Sequence, residues 1–311
     1  MRPDNLRILL FGASGFIGRN CLLALSKHDC QVHAVSRQAI TSKTDRIVWH
    51  KADLARPVEL EEVFAASRPT YVIHAAWDVS SESYWNAAAN LICASVSGHI
   101  LSQAIKYGVK RLLGIGTCAE YGLEHDLCEE GISEEKPTGS YAITKKATQL
   151  LLQSANSASF STVWVRLFFP YGRFDKATKL LPYIIRQVTN GEVAELSAGT
   201  QVRDLLYASD VAEGLMAVLL SDVDGVVNLA SGIPVTVAEI AKTIGEMMGR
   251  PELIRLGVKP WHAMEAPRWV ASVRRLNHEV GWRPSISLKD GLAATIDLFS
   301  GVAAPEQSPV Y

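Results

Sequence analysis

The sequence predicts a doubly wound, parallel α/β sheet with a smaller C-terminal lobe. Three observations predict it. Short apolar runs alternate with helical patterns through the first half, a glycine triplet marks one passage from run to helix, and the alternation stops after Gly172. Strands that alternate with helices need crossover connections, which lay helices on both faces of one parallel sheet.

Runs of strand character cover residues 7–11, 31–35, 47–50, 71–75, 111–115 and 162–168, with helical stretches at 16–26, 58–66, 90–107 and 141–154 between them. Beyond Gly172 the reading is a helix plus irregular chain over 173–203, a helix over 208–220, a strand over 226–230 and a helix over 237–248. Loops rich in Pro and Trp follow, and residues 303–311 read as a loose tail.

The 311 residues suit one large or two ordinary domains and can bury a sizeable core. Hydrophobic residues make up 48% and charged residues 20%, an ordinary globular balance. A formal net charge of −1 gives no electrostatic footprint for nucleic acid or an anionic membrane. No uninterrupted apolar run reaches the ~18 residues of a membrane span. The apolar stretch 8–11 runs straight into a glycine turn, so the N-terminus reads as a first strand rather than a signal peptide. The five cysteines (Cys21, Cys30, Cys93, Cys118, Cys128) lack paired spacing and read as reduced thiols of a cytoplasmic protein, with no zinc site.

Gly12, Gly15 and Gly18 lie directly after the first strand and open the first helix. Such glycines permit a tight turn and close backbone approach, and the helix N-terminus offers unbonded N–H groups and positive dipole potential to a pyrophosphate. Ser14, Phe16 and Ile17 fall within this turn, which marks a Rossmann-type dinucleotide site. An NAD site usually carries an acidic residue about 20 positions further on, for the ribose hydroxyls. That position is Ser36, followed by Arg37. Ser36 does not repel a 2′-phosphate and Arg37 can pair with it, with Arg19 as a second cation, so the expectation is NADP, with NAD as the alternative. Solvated surface charge is the other reading of both arginines. Asp53, ahead of Leu54, is either an acceptor for the adenine amino group or a helix N-cap. His74 reads as a packed histidine, and Ala75 and Ala76 are small enough for a cofactor to lie against the sheet.

Tyr141 and Lys145 stand at i and i+4 on one helical face. A phenol titrates near 10, and bringing it to about 7 takes about 4 kcal/mol of preferential phenolate stabilisation, which a neighbouring ammonium helps supply. Thr117, after the strand 111–115, can bond the same substrate oxygen, at the strand ends where such a sheet places its ligand.

Together with Glu120-Tyr-Gly122, the segment from Arg166 through Phe168 to Gly172, Lys179-Leu-Leu-Pro182, Arg203-Asp204, Asn228, Ser231-Gly232 and Gly281-Trp-Arg-Pro284, these motifs resemble the extended short-chain dehydrogenase/reductases, the nucleotide-sugar epimerases, dehydratases and reductases. The resemblance runs across nearly the whole chain. It implies that Tyr141 exchanges a proton with the sugar, that Lys145 holds the nicotinamide ribose and tunes Tyr141, and that Thr117 holds the reacting oxygen. It adds Leu54 and Phe168 to the cofactor contacts. For the substrate it implies Trp77, Cys118 and Lys179, with Leu181 and Pro182 against the nucleoside and Arg203 on the diphosphate. A salt bridge to Asp204 is the other reading of Arg203, and core packing the other reading of Trp77 and Trp85. It implies a cofactor domain of 1–172 plus about 207–230, a substrate domain of 173–206 plus 231–311, and a homodimer through the helices 90–107 and 141–154.

Departures from the family narrow the reaction. Sugar 4,6-dehydratases carry an Asp-Glu pair directly after the catalytic threonine. Cys118 and Ala119 stand there, so dehydration is not expected, and Glu120 is expected to face elsewhere. Cys118 reads as a small buried residue rather than a reactive thiol. Phe169 replaces a frequent asparagine and removes one polar contact. The expectation is an NADPH-dependent reductase of a nucleoside-diphosphate-linked 4-keto (deoxy)sugar, with hydride to C4 and Tyr141 as proton donor. The alternatives are a 4-epimerase that retains NAD(P) and a non-catalytic dinucleotide sensor.

Overall fold

A computed structural model describes residues 6–41, 44–79, 84–260 and 266–301. Seven parallel strands form the main sheet. They are β1 (Arg7–Phe11), β2 (Gln31–Ser36), β3 (Ile47–Lys51), β4 (Tyr71–His74), β5 (Arg111–Thr117), β6 (Ser161–Leu167) and the strand Gly225–Leu229. Their spatial order is Gly225–Leu229, β6, β5, β4, β1, β2, β3. Strand order therefore reverses between β1 and β4, the switch point at which such sheets open a crevice for ligands.

The burial of β1 explains its unbroken apolar run. Ile8 and Leu10 face one core and Leu9 and Phe11 the other, as expected for a strand covered on both faces. Helices α1 (Phe16–Leu25) and α6 (Ala208–Leu220) cover the first face. Helices α2 (Pro57–Ser67), α3 (Ala89–Lys106) and α4 (Gly139–Gln153) cover the second.

Two boundaries matter for the site. β2 runs one residue past the predicted end, to Ser36, and β5 two residues past, to Thr117. Gly116 and Thr117 carry no apolar signal, but both pair with β6, opposite Arg166 and Leu167. A Cβ at Gly116 would collide with the Trp164 indole and the Glu120 carboxylate, so that large side chains, rather than the strand's own residues, fill the space above its end.

A separate core lies beyond the sheet. Leu181, Ile184 and Ile185 of α5 (Leu180–Thr189) pack with Ile240 and Ile244 of α7 (Val237–Met247) and Leu292 of α9 (Leu288–Ser300). The short helix α8 (Arg274–His278) precedes α9. Thr236 caps α7 through a reciprocal box with Glu239. Beside this core, the strand Val202–Asp204 pairs antiparallel with Pro234–Thr236 and parallel with Arg268–Trp269. The expectation of loops throughout the last part of the chain is corrected by α8 and α9. Ser287 caps α9 by accepting from the Asp290 N–H, and its inward positions Leu288, Leu292 and Ile296 recur every fourth residue. The tail expected at 303–311 lies outside the described residues. Among the described residues no helix is long and apolar enough to cross a membrane.

Candidate active site

The glycine turn has the shape a pyrophosphate requires. Gly12 adopts φ +76°, and a Cβ there would stand 2.7 Å from the Ala75 and Ala76 backbone, so the turn lies directly on the end of β4. A Cβ on Gly18 would run into the Gly12 carbonyl. Ser14 and Gly15 are exposed. Gly15 caps α1 with no side-chain hydrogen bond, and the first turn holds no acidic residue. The positive end of the helix dipole is therefore uncompensated by the chain itself, which fits the residues present to a phosphate-bearing cofactor.

Ser36 is buried at the end of β2 and its Oγ accepts from the Gln38 N–H, while Arg37 is exposed beside it. The Arg19 guanidinium lies 3.8 Å from the Phe174 ring. Asp53 is not the α2 N-cap, which corrects that reading: the cap is Arg56, with Pro57 opening the helix. Asp53 instead closes a turn by accepting from the Ala55 N–H at 3.1 Å, and it stays exposed. Leu54, Ala75 and Ala76 are partly exposed. Phe168 is fully enclosed with Cys118, Tyr121 and Ala230 beneath the site. His74 is buried and its Nε2 meets Ser97 Oγ at 2.7 Å. Burial, and then the Lys145 charge, lower its pKa to about 3, so it stays neutral.

The residues expected at the acid–base end come from β5 and α4, with the chain after β4 packed against them. Thr117 ends β5 and caps the turn Cys118–Tyr121, accepting from the Ala119 N–H. Tyr141 lies on α4 with its phenol against the Thr117 side chain, and burial holds that phenol well above the usual tyrosine range, which reverses the lowering expected from the neighbouring ammonium. Lys145 is buried on the same helix and donates to the Ile115 carbonyl at 2.6 Å. Burial pulls its ammonium down to about 7, with Glu120 opposing. The Trp77 ring stands 3.9 Å from Lys145 Nζ. Trp77, Tyr84 and Trp85 all meet the Tyr141 ring edge-on, at centroid distances of 6.4, 5.1 and 5.7 Å.

Rings continue from Tyr141 towards Arg203. Trp85 stacks on Trp269 at 6.4 Å, Phe169 packs on Trp269 at 5.9 Å, and the Arg203 guanidinium lies 5.0 and 5.4 Å from Phe169 and Trp269. Arg203 is buried and donates to the Ala266 carbonyl at 2.9 Å. Asp204 accepts from the N–H groups of Ser231, Gly232 and Ala271. Lys179 is exposed, with its ammonium 5.5 Å from the Tyr84 ring. Leu181 and Pro182 are buried in the outer lobe. The Cys118 thiol is buried and pushed far up by that burial, which makes it inert.

Three residues of the site were missed by sequence reasoning. Asn90 is fully buried, accepts from Trp77 Nε1 at 2.9 Å, and donates to the Tyr84 carbonyl and Ser140 Oγ. Tyr84 completes the ring of aromatics around Tyr141. Trp269 donates from Nε1 to the Gly122 carbonyl at 2.8 Å, joining its strand to the Thr117 turn. The Pro- and Trp-rich composition was the only signal available for Trp269.

The model of the NAD dependent epimerase/dehydratase family matches residues 8–232. Among curated proteins, the chain is 27% identical over 321 residues to the GDP-L-fucose synthase of Sinorhizobium fredii, covering 95% of this chain and 96% of that one. It is 25% identical to the dTDP-D-glucose 4,6-dehydratase of Bos taurus, over 96% of this chain and 90% of the other. The structure of Thermus thermophilus UDP-glucose 4-epimerase, a complex with NAD, superposes with a TM-score of 0.85 at 24% identity, covering 96% of this chain and 100% of that one. With the glycine turn at the switch point and Thr117, Tyr141 and Lys145 gathered at its far end, the chain belongs to the NAD dependent epimerase/dehydratase family, within the extended short-chain dehydrogenase/reductases, the NAD(P)-dependent enzymes that modify nucleotide sugars.

Proposed function

We propose that the protein is an NADPH-dependent reductase of a nucleoside-diphosphate-linked 4-keto (deoxy)sugar. One observation carries the choice of reduction: β2 ends on the buried Ser36 with Arg37 exposed beside it, so no carboxylate there repels a 2′-phosphate, and the cofactor bearing that phosphate is the one cells usually keep reduced. Tyr141, with Thr117 against it, would give the proton a ketone needs as it becomes an alkoxide. Bound NADPH supplies the hydride to C4. The chain's part is to hold the keto oxygen between Thr117 and Tyr141 and to protonate it from Tyr141, with Lys145, one turn along the same helix, to steady the anion left behind. The glycine turn, Ala75, Ala76 and Lys145 would hold the dinucleotide, with Ser36, Arg37 and Arg19 at the 2′-phosphate. Arg203, a planar donor fork, would take the sugar diphosphate, with the segment from Lys179 to Pro182 at the nucleoside. The nucleotide-sugar names of the curated relatives support this substrate class.

Cys118 and Ala119 supply no acid–base pair for eliminating water. Intact dTDP-glucose or GDP-mannose should therefore give no 4-keto-6-deoxy product. With a panel of nucleotide 4-keto-6-deoxyhexoses, one NADPH should be oxidised per sugar reduced. A dehydrated product by mass, or no NADPH oxidation across the panel, removes this reading.

A 4-epimerase with retained cofactor is the second reading, and one observation favours it. Arg173–Lys176 ties the two sides of the glycine turn together: Asn20 donates to the Arg173 carbonyl at 3.0 Å, Lys176 Nζ to the Val79 carbonyl at 2.9 Å, and Phe174 sits on Arg19. Such a strap suits a cofactor that stays bound. A non-catalytic sensor has no need of Thr117, Tyr141 and Lys145. We also propose the two-domain division at 1–172 with 207–230 against 173–206 with 231–311, and a cytoplasmic homodimer. The exposed Leu91, Ile92 and Ile105 of α3, with Ile143, Leu150 and Leu151 of α4, support the dimer surface.

A further inference from the structure

We propose that Glu120 is a positioning residue: paired with Arg166 beneath the active-site turn, it fixes Thr117 relative to the helix that carries Tyr141 and Lys145. The inference rests on reading those three residues as the reacting centre. Glu120 follows Thr117 by three positions, and its side chain folds back under the turn. Oε1 accepts from the Thr117 N–H at 2.9 Å. Trp164 Nε1 donates to both carboxylate oxygens at 3.0 Å, and Arg166 Nε to Oε2 at 2.8 Å. Glu120 and Arg166 are both 0% exposed.

The seat for this carboxylate is built. Position 116 has to be glycine, because a Cβ there would strike both Glu120 Oε1 and Trp164 Nε1. Arg166 lies 4.3 Å over the Tyr121 ring and reaches α4 by donating to Gln149 Oε1 at 3.0 Å. It also pairs with Glu135, which in turn pairs with Lys146 of α4. One buried ion pair therefore touches the backbone of Thr117 on one side and is tied twice to the helix of Tyr141 and Lys145 on the other. A buried pair is poor value as a source of stability, since apolar residues of the same volume commonly do as well or better. It does hold two elements at one spacing, because the carboxylate has to meet the Thr117 N–H, the Trp164 indole and the Arg166 Nε at once. The Glu120 charge also opposes the burial that pulls the Lys145 ammonium down.

Three proteins are compared: wild type, Glu120→Gln, and Glu120→Leu combined with Arg166→Met so that no charge is left stranded. Each is assayed with NADPH and dTDP- and GDP-linked 4-keto-6-deoxyhexoses, and amide exchange at Thr117 is followed by NMR. The double variant should fold and bind NADPH as wild type does. Its kcat should fall about 10²-fold, as expected for misplacement on the order of 1 Å, with sugar KM within about threefold. Glu120→Gln, which keeps an acceptor for the Thr117 N–H, should recover most of the loss. A double variant with wild-type kcat overturns the proposal, and so does one whose kcat and melting temperature fall together while its KM rises. If wild type reduces none of these sugars, it is the proposed function that has failed. Thr117 amide exchange then decides alone: faster exchange in the double variant upholds the positioning role, and unchanged protection overturns it.

Discussion

Between β1 and α1, three glycines within one turn set the backbone path, the helix start and the distance to β4. Around Tyr141, by contrast, rings come from separate parts of the chain: Trp77 and Trp85 after β4, Phe169 after β6, and Trp269 from the outer lobe. The first region is a local device, in which neighbours in sequence make the geometry. The second is a tertiary device, in which each ring is held by a partner far away in sequence, as Trp269 is by the Gly122 carbonyl and Trp77 by Asn90. The difference suits two tasks. A dinucleotide's pyrophosphate presents the same shape to every such turn, whereas in the proposed function the ring-lined end is shaped to its own sugar.

Substitutions should separate the two regions. The largest expected effect is at Tyr141. Tyr141→Phe should lower turnover about 10²- to 10⁴-fold, the usual contribution of a general acid, while leaving NADPH affinity unchanged. Near-normal turnover would dissolve the acid–base end as described. Next is Arg37→Ala, which should narrow the preference for NADPH over NADH by about 10- to 100-fold, the worth of hydrogen bonds to a charged group. Titrating both cofactors measures it, and equal affinities in the wild type would refute the 2′-phosphate reading. Trp269→Ala should raise the sugar KM about tenfold through lost ring contacts, without altering cofactor affinity. If it weakened NADPH binding equally, the two regions would not be independent.

The smallest effect concerns the sheet beneath both regions. His33 meets His50 at 2.8 Å, and burial, then the neighbouring His50, lowers its pKa to about 4. His74 is lowered to about 3. An unfolded histidine takes up its proton near 6.5, so below that pH the unfolded chain binds more protons than the folded one, and stability falls as pH drops towards 4. Melting temperatures between pH 7 and 5 should decline, and less steeply in His33→Gln. A flat profile in that window would show that these histidines protonate freely in the fold.

Legibility followed the same division. The placement of Gly12, Gly15 and Gly18 was readable because it is contained in one turn, and that of Tyr141 with Lys145 because i and i+4 share a helical face. Thr117 was placed at a strand end, although the strand itself proved longer, since its last pairs depend on β6. Asn90, Trp269 and the function of Glu120 were not readable. Each is defined by partners that only the fold brings together, and a buried carboxylate gives no sign in sequence of the guanidinium that makes its burial tolerable. The helix Leu288–Ser300 is a different kind of miss, because Ser287, Asp290 and the apolar spacing were all present in the sequence.

The central claim, that this site delivers hydride to a sugar ketone while Tyr141 protonates the oxygen, is tested most directly by isotope transfer. The enzyme is supplied with NADPH deuterated at the transferable position and a panel of nucleotide 4-keto-6-deoxyhexoses, and the products are analysed by mass and NMR. The account predicts one deuterium at C4 of the product and one NADPH consumed per sugar. No deuterium in any product, together with inversion of intact nucleotide sugars without net cofactor loss, would contradict it and identify the protein as an epimerase.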